Sequence, residues 1–417
     1  MRTISILALT SGALALLAPA CDSSSGDSLP TGCDALIKPG DNDAQELQAA
    51  FIDAQSGDTV CLAAGTYAFD RELSLTNAAD VTLKGMGATR DDVVLDFATQ
   101  TVGDDGFTVT ATGFTVENLT IKNSPGNGIV AHSETSTFRN IKVWWDAGSV
   151  TENGFYAIYP TDCKKVIIED NEVIGASDAG IYVGSCEYAI VRRNKVHGNV
   201  AGLEIENTHH ADVYDNEVYD NTAGILALVL PNLKIKDNRY VNLRNNNIHD
   251  NNRTGFAKAG TVVSYVPKGI GILSLAGADI EIQHNQIVNN DGAGAMVVSY
   301  KTFEILTDKP LDDPQMDPYL RRLYIHDNTF DGNGDHPLGA LALLGQATLE
   351  NVLWDGVTAN GETVADAKIC LGASPPTFRM FAVADGFAPA KQSTATTDHT
   401  CTLESLPEMQ DFSGITE

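Results

Sequence analysis

Positive charge is scarce in this sequence. Its 417 residues include 27 Lys and Arg against 55 Asp and Glu, which gives a formal net charge of −28 at pH 7. A chain this acidic repels the phosphates of nucleic acids and of anionic lipids, so its charge argues against both as partners. Contact with a membrane would therefore have to come from a lipid anchor.

Metal-binding patterns are also missing. The seven cysteines contain no C-x-x-C pair and no C-x-x-C-H haem motif, and Cys, His and Met are few and scattered. The acidic stretch from Asp308 to Asp317 does not follow the spacing of a regular calcium loop. We therefore expect no metal and no cofactor on this chain.

The apolar run from Ile4 to Leu17 is too short to span a bilayer. It predicts a signal peptide over residues 1–20, with Cys21 at the new N-terminus for lipidation. Because Ala18 stands where lipoprotein signals commonly have leucine, cleavage by ordinary signal peptidase is the alternative. Residues 21–32 form a polar tether. We expect an exported, membrane-anchored lipoprotein, at the periplasmic face or the cell surface.

A repeat with a basic period of 22 to 23 residues dominates the rest of the chain. Each unit has an asparagine in a short apolar frame and then a glycine that opens an alternating strand. Such a stacked unit is typical of an all-β fold, the single-stranded right-handed parallel β-helix. We place this solenoid, with an N-terminal cap, over 33–355 and a C-terminal cap or tail over 356–417. A helix over 43–55 is expected to plug the N-terminal end.

The repeated asparagines have a structural explanation. Asparagine tolerates left-handed backbone geometry, and stacked amides can bond along a ladder of coil corners. The sequence predicts two such ladders. One contains Asn118, Asn140, Asn171, Asn194, Asn216, Asn246, Asn285 and Asn328, and the other contains Asn199, Asn221, Asn251, Asn290 and Asn333.

Six cysteines remain beyond Cys21, an even number in an oxidising compartment, which favours disulfides. Cys163 and Cys186 are one rung apart and should therefore lie on neighbouring coils within disulfide reach. The remaining pairs would staple the two ends of the solenoid. They are Cys33 with Cys61 and Cys370 with Cys401.

Aligning the strands by rung predicts which side chains face outward. Ile158, Ile181 and Leu203 point inward in this alignment, whereas Tyr159, Tyr182 and Glu204 form an outward column. A second outward column contains Thr161, Gly184 and Glu206. Later rungs offer leucines at the same positions, namely Leu226, Leu228, Leu273 and Leu275. Such an apolar wall needs a cover.

Four insertions lengthen individual rungs and are the expected source of that cover. Loops inserted into repeat folds often build the binding face. The insertions are Trp144 to Phe155, Val229 to Arg239, Asn252 to Lys268, and Tyr300 to Arg322.

Tyrosines beside carboxylates are typical of sugar-binding sites, where rings contact the apolar faces of pyranoses and carboxyls do acid–base work. Glu204, Glu206 and Asp178 are the candidate catalytic residues. The two glutamates are two residues apart on one strand, so their Cα atoms should be about 6.5 Å apart. This spacing is admissible for an inverting glycosidase. The alternative is that both are hydrated or paired with Lys258 or Lys268.

Further candidates for substrate binding flank this strand or lie on the insertions. A turn histidine could reach the groove edge, basic side chains could bind an anionic sugar, and two tryptophans could form an aromatic lip. These residues are His209, Arg253, Lys258, Lys268, Trp144 and Trp145. The plain alternatives are an exposed histidine, lysines and arginine that neutralise nearby acids, and tryptophans that only fasten their loop.

Several segments resemble a bacterial family of exported parallel β-helix repeat-containing proteins over about residues 33–337. The resemblance is densest in Gly175 to Gly184, Asn199 to Asn207, Thr222 to Leu226, and Val266 to Gly269. It implies the β-helix fold and export. Members are often encoded beside a c-type dihaem cytochrome, which makes an exported cytochrome a candidate partner.

A wider resemblance connects the chain to pectin-lyase-fold proteins that process pectin and alginate. Their catalytic motifs, such as Gly-His-Gly and Asp-Pro-His-Asp, are missing here, so no catalytic residue is carried over. Two functions follow as hypotheses. The first is a lyase, hydrolase or epimerase acting on acidic polysaccharide, or a binder of it. The second is a non-catalytic scaffold that docks a cytochrome on the leucine wall.

Overall fold

The computed structural model describes residues 29–339 and 341–413. The expected signal peptide, Cys21 and most of the tether lie outside these residues. None of the helices in the described part of the chain has the length and apolar content of a membrane-spanning segment.

The described chain winds repeatedly through three parallel sheets, and a typical turn gives one strand to each sheet in succession. Within the described residues the first sheet has twelve strands, the second has ten and the third has eleven. Each strand pairs in parallel with the strand one turn before and one turn after it. This architecture is the parallel β-helix that the repeat predicts.

The strands of the first sheet, in stacking order, are Ala35–Ile37, Thr59–Leu62, Val81–Gly85, Phe114–Glu117, Thr135–Arg139, Lys165–Glu169, Tyr188–Arg192, His209–Tyr214, Arg239–Arg244, Ala278–Gln283, Arg321–His326 and Ile369–Cys370. Those of the second sheet are Gly65–Ala68, Val93–Asp96, Thr120–Lys122, Lys142–Trp144, Glu172–Ile174, Lys195–His197, Glu217–Tyr219, Asn247–His249, Gln286–Val288 and Thr329–Asp331. Those of the third sheet are Arg71–Leu75, Val102–Val109, Ile129–Ala131, Ile158–Pro160, Ala179–Gly184, Ala201–Glu206, Ala223–Leu228, Ile270–Leu275, Ala293–Val298, Val352–Trp354 and Phe378–Met380.

The second predicted asparagine ladder is confirmed, and the first is confirmed from Asn171 to Asn328. Asn118 and Asn140 lie outside this pattern, because the Asn140 amide donates back to the Asn118 oxygen at 2.9 Å and the Asn171 oxygen accepts from the Ile141 backbone amide. In the first, the Asn171 side-chain amide donates to the Asn194 oxygen at 3.0 Å, and the pattern continues to Asn328. The second runs in the same way from Asn199 to Asn333. These bonds satisfy buried amides from one turn to the next, so the corner keeps its position over many rungs.

The left-handed corner residue is not always the ladder asparagine itself. Asn118 and Asn140 have φ values of 57° and 49° as expected, but from Asn171 onward the residue before the asparagine takes this conformation. Examples are Asp170 at 61° and Arg193 at 54°. The preceding residue carries the turn, which leaves the asparagine side chain free to point into the ladder.

The interior is filled by the inward side chains of all three sheets. Ile158, Ile181 and Leu203 face this core and are completely buried, as the rung alignment predicts. Each such side chain contributes about 1.5–3 kcal/mol by leaving water. The core therefore fixes which residues of the third sheet must point outward.

A helix spans Asp43–Asp53, close to the predicted range, and buries Leu47 and Phe51. Phe51 stacks on the core ring of Phe107 with centroids 5.1 Å apart. The Gln48 side chain exchanges two hydrogen bonds with the backbone of Ser74 on the first strand of the third sheet, both at 2.9 Å. That this helix closes the end of the solenoid stays a prediction.

Apart from the single turn Arg90–Asp92, which connects the strands Val81–Gly85 and Val93–Asp96, the other described helices follow the first two insertions. The α-helices are Tyr300–Thr307 and Val364–Ala367, and the single-turn helices are Arg90–Asp92, Val263–Tyr265, Leu341–Leu344, Val383–Asp385, Pro389–Lys391 and Thr397–His399.

All three predicted disulfides form. The Cα atoms are 5.7 Å apart in Cys33–Cys61, 4.4 Å in Cys163–Cys186 and 4.9 Å in Cys370–Cys401. The middle disulfide joins neighbouring rungs, which verifies the one-rung spacing.

The C-terminal segment folds back across the outer face of the first sheet. Its Leu406 amide donates to Glu281 at 2.6 Å and its Met409 amide donates to Asp212 at 2.7 Å. Arg192 donates to the Gln410 carbonyl at 2.8 Å. These contacts cover the polar outer face of that sheet and leave the third sheet as the face on which the candidate site lies.

Candidate functional site

The predicted outward columns of the third sheet are present. Tyr182 pairs with Glu204, and Gly184 pairs with Glu206, on directly neighbouring strands. Thr161 bridges to Gly184 one rung earlier. The rung alignment therefore places the tyrosines and glutamates on one continuous outer surface.

Three tyrosine rings form a cluster at one end of this surface. The centroids of Tyr159 and Tyr182 are 4.8 Å apart with the rings edge to face. Tyr156 lies 4.6 Å from Tyr159 and 4.8 Å from Tyr182. Tyr156 precedes its strand and was not in the predicted column, and no periodic signal in the sequence indicates that it returns to the cluster.

Three carboxyl groups lie against these rings, and all are buried. Glu204 and Glu206 are 5% exposed and Asp178 is 7% exposed. The Tyr182 hydroxyl donates to Glu206 Oε1 at 2.9 Å, and the Tyr156 hydroxyl donates to Asp178 Oδ2 at 3.4 Å. Each of these two carboxylates thus has a tyrosine donor of its own. We call Asp178, Glu204 and Glu206 the carboxyl cluster.

The pKa values of all three carboxyl groups in the cluster are raised. Burial raises the pKa of Glu204 well above its usual range, and the Glu206 and Asp178 carboxylates raise it further. Burial also raises the pKa of Glu206, while hydrogen bonds from Glu204 and Tyr182 oppose that rise. Burial and the Glu206 carboxylate raise the pKa of Asp178 to about 7.

Glu204 and Glu206 are coupled to each other by a hydrogen bond between their side chains. Glu204 Oε2 is buried and receives no hydrogen bond from the described residues, which is costly for an ionised oxygen. A hydrogen bond between the two glutamate side chains raises the pKa of Glu204 and opposes the rise in the pKa of Glu206, and the Tyr182 hydroxyl, which donates to Glu206, opposes that rise as well. Like charges this close cannot both ionise, so the pair titrates as one unit.

Within the described residues, the structure does not show the predicted neutralisation of the carboxyl cluster by Arg253, Lys258 or Lys268. Arg253 forms its ion pair with Asp220, and the Lys258 ammonium lies 6.0 Å from the centre of the Phe155 ring. Among the described residues, no ion pair connects Lys258 or Lys268 to Glu204 or Glu206; the charged groups that shift the Glu204 pKa are both acidic. The two glutamates are thus buried, and within the described part of the chain neither is paired with a loop lysine.

The remaining predicted site residues lie on other sheets. His209 Nε2 is 2.6 Å from Asp237 Oδ1 at the start of a first-sheet strand. Trp144 ends a second-sheet strand, with the Lys142 ammonium 5.5 Å from its ring centre. Trp145 is buried and donates to the Ser124 carbonyl at 2.7 Å. The structure does not bring these three side chains to the carboxyl cluster.

The insertions cover the leucine wall, as its apolar character requires. Leu226, Leu228, Leu273 and Leu275 are at most 6% exposed. They pack in one apolar cluster with side chains from three insertions, among them Leu230, Phe256, Val266, Tyr300 and Met316. The cytochrome-docking hypothesis placed its interface on this wall, and that surface is buried.

Within the described residues, no group of three or more His, Cys, Asp or Glu side chains has the arrangement of a metal site. What the cluster offers chemically is a pair of hydrogen-bonded glutamates whose pKa values are both raised, and a third carboxyl, Asp178, whose pKa is raised to about 7. This combination suits general acid–base catalysis.

Comparison by sequence identifies the class of protein. The family model described as right handed beta helix region matches residues 105–242 and 147–309. Together with the three parallel sheets, this match shows that the chain is a right-handed parallel β-helix protein. No curated protein matches the chain.

Solved structures with similar folds include the A-module of mannuronan C-5 epimerase AlgE6 from Azotobacter vinelandii. It is 16% identical, with a TM-score of 0.47, over 76% of this chain and 86% of the epimerase module. The Dettilon tailspike protein is 12% identical with a TM-score of 0.45, over 77% of this chain and 61% of its own. Pectate lyase Pel9A is 13% identical with a TM-score of 0.38, over 78% and 75%. The activities in these names belong to the neighbours.

Proposed function

We propose that this protein is an exported, lipid-anchored carbohydrate-active protein whose site is the carboxyl cluster beside the three tyrosines. The observation that carries the proposal is the burial of Asp178, Glu204 and Glu206 together, with no positive counter-ion among the residues that the structure describes. An arrangement of this kind is costly for the fold, and perturbed carboxyls of this type concentrate at functional sites.

The proposed division of labour follows from the protonation states. Asp178, with its pKa raised to about 7, can give or take a proton near neutral pH, which is the property of an efficient general acid or base. Glu204 is the proton donor of the glutamate pair and Glu206 is its ionised member. The tyrosine rings supply apolar surface for a pyranose.

The inverting-glycosidase pair expected from the strand spacing is revised in this proposal. Inverting carboxyls are separated by about 6.5–9.5 Å so that a water molecule fits between them. Here the Glu204 and Glu206 side chains interact directly through a proton. They therefore act as one carboxyl unit, and Asp178 is the second catalytic carboxyl.

The charge of the cluster also revises the expected substrate. Bringing a uronate beside three acidic groups is electrostatically unfavourable, and Arg253 is held by Asp220 on another part of the surface. We therefore propose uncharged sugar units at this site in place of acidic ones. Access would be along Tyr156 and Tyr159, whose rings are only partly buried.

The test is incubation of the purified protein with a panel of neutral glycans and polyuronates, scoring new reducing ends, unsaturated ends and binding. We expect activity or binding with a neutral glycan. Loss of a general acid–base group costs about 10²–10⁴-fold in rate, so Asp178→Asn should lose the activity.

A matched control is Asp237→Asn, which removes a carboxyl that faces His209 away from the cluster. This variant should keep the activity. Absence of both products and binding over the whole panel would refute the proposal, and products from polyuronates alone would refute the assignment to uncharged sugars.

A further inference from the structure

A large cavity lies over the same outer face of the third sheet, beyond the carboxyl cluster. Its volume is 510 Å³, which is within the range of ligand pockets of about 300–1,000 Å³. Leu273, Leu275 and Met296 line it from the sheet, and Phe303 and Phe387 line it from the segments that cross above. The insertions therefore cover the leucine wall without filling the space over it.

The mouth of the cavity is apolar as well. Tyr265 and Leu306 both line the cavity and are 43% and 61% exposed. Ile305, beside Leu306, is 55% exposed. Exposed apolar side chains around an apolar opening often mark a site where another molecule binds.

The main polar group in the lining is already satisfied by the protein. The Asp355 carboxylate accepts hydrogen bonds from the Ser299 amide and the Thr302 hydroxyl, both at 2.6 Å, and from the Val357 amide at 3.0 Å. It is 1% exposed. Asp355 therefore holds the covering segments in place and offers no open acceptor to a ligand.

Water is a poor occupant of this space. An ordered water needs about two to four polar partners, and apolar cavities instead stay dry or take up apolar molecules. An empty cavity also forfeits the dispersion contacts of its walls. A flexible hydrocarbon restores these contacts and buries the exposed mouth.

We propose that this cavity binds the hydrocarbon chain of an amphiphile. The head group remains at the mouth, where the ammonium of Lys309 lies 5.0 Å from the centre of the Tyr265 ring and the exposed Gln346 lines the opening. The proposal is independent of the carbohydrate function. The two sites adjoin, however, because the cavity residue Leu228 is the direct strand partner of Glu206.

The test is calorimetric titration of the whole protein with octyl, decyl and dodecyl maltoside below their micelle concentrations. If the chain is buried, each added pair of methylenes should tighten Kd by about tenfold. Maltose, the head group alone, should not compete. Dodecanoate in a parallel titration distinguishes a fatty acid from a sugar-headed lipid as the natural source of the chain.

Met296→Trp fills part of the cavity and should weaken dodecyl maltoside binding by at least tenfold. Leu306→Ser changes only an exposed residue at the mouth and should weaken it a few-fold, so it remains informative if the larger substitution disturbs folding. Asp178→Asn should bind the amphiphile as the wild type does. Kd values independent of chain length, displacement by maltose, or unchanged affinity in both cavity variants would overturn the proposal.

Discussion

Buried carboxyl groups on two sheets of the same solenoid have opposite electrostatic surroundings. On the first sheet, Glu169 is 4% exposed and lies within 2.8 Å of Arg139, Arg192 and Arg193. Their hydrogen bonds lower the pKa of Glu169 to about 2 despite its burial. On the third sheet, Glu204 is buried to the same degree, faces two further acids, and its pKa is raised.

The difference shows which of the two groups serves the fold. An ion-paired carboxylate such as Glu169 links neighbouring rungs and repays its loss of water with charge-assisted bonds. Among the described residues the carboxyl cluster has tyrosine donors but no Lys or Arg partner, and the leucines that continue its columns show that apolar residues fit these positions. An acidic group at a position where leucine would pack is best explained by a chemical function of that group.

The largest expected contrast is in the pH dependence of stability. Because the pKa of Asp178 is about 7 in the folded protein against 3.8 for an aspartate in the unfolded chain, its stabilising contribution is full below the unfolded value and is lost as the pH rises through 7. The loss is about 1.4 kcal/mol per pH unit and up to about 4 kcal/mol over the interval.

Asp178→Asn should remove this dependence, so the variant gains stability relative to the wild type from roughly pH 4 to pH 7. Urea unfolding of both proteins over this range measures the difference. A stability difference that stays constant with pH would contradict the raised pKa of Asp178.

A smaller change in stability is expected for Glu169→Gln, because this substitution removes a charge that the fold stabilises. The lowered pKa of Glu169 makes its contribution present above the unfolded value of 4.5 and lost as the pH falls through about 2. Removing the charge should lower the free energy of unfolding at neutral pH by about 2 kcal/mol, because three arginines lose a partner and two of them are partly hydrated.

The same chemical change on the third sheet provides the matched variant. Glu206→Gln removes a charge from beside two other acids and should raise stability at neutral pH. If both substitutions shift the unfolding midpoint in the same direction, the contrast between the two sheets is wrong.

The smallest expected change in stability comes from Tyr182, the tyrosine that donates to Glu206. Tyr182→Phe deletes the hydrogen bond to Glu206 and should cost about 1 kcal/mol. It should also raise the pKa of Glu206 further, because that bond stabilises the ionised form.

Tyr188→Phe is the control for this change, since the Tyr188 ring stacks on His210 of the first sheet away from the cluster. It should change the unfolding free energy by less than about 0.5 kcal/mol. Equal losses from both phenylalanine variants would mean that the Tyr182 bond contributes nothing specific.

The repeat in the sequence was sufficient to predict the register of the solenoid. One period correctly paired Cys163 with Cys186, sent Ile181 inward and placed Tyr182 beside Glu204. Such features follow from strand alternation and rung length, which are local and periodic properties of the chain.

The irregular parts of the molecule could not be predicted in this way. Tyr156 reaches the cluster from outside any strand, and Arg253 turns to Asp220. The return of Met409 to Asp212 crosses several rungs. Each of these contacts depends on the three-dimensional course of an aperiodic segment, for which spacing in the sequence carries no information.

The most direct test of the account is the infrared carboxyl spectrum of the protein at neutral pH, compared between wild type and Glu204→Gln. A protonated carboxyl absorbs apart from ionised carboxylates. If Glu204 keeps its proton in the fold, the wild type should show a protonated-carboxyl band at pH 7 that is weaker in the variant, where Asp178, with its pKa raised to about 7, still contributes to it. Absence of such a band from the wild type would contradict the raised pKa of Glu204 and the carboxyl site built on it.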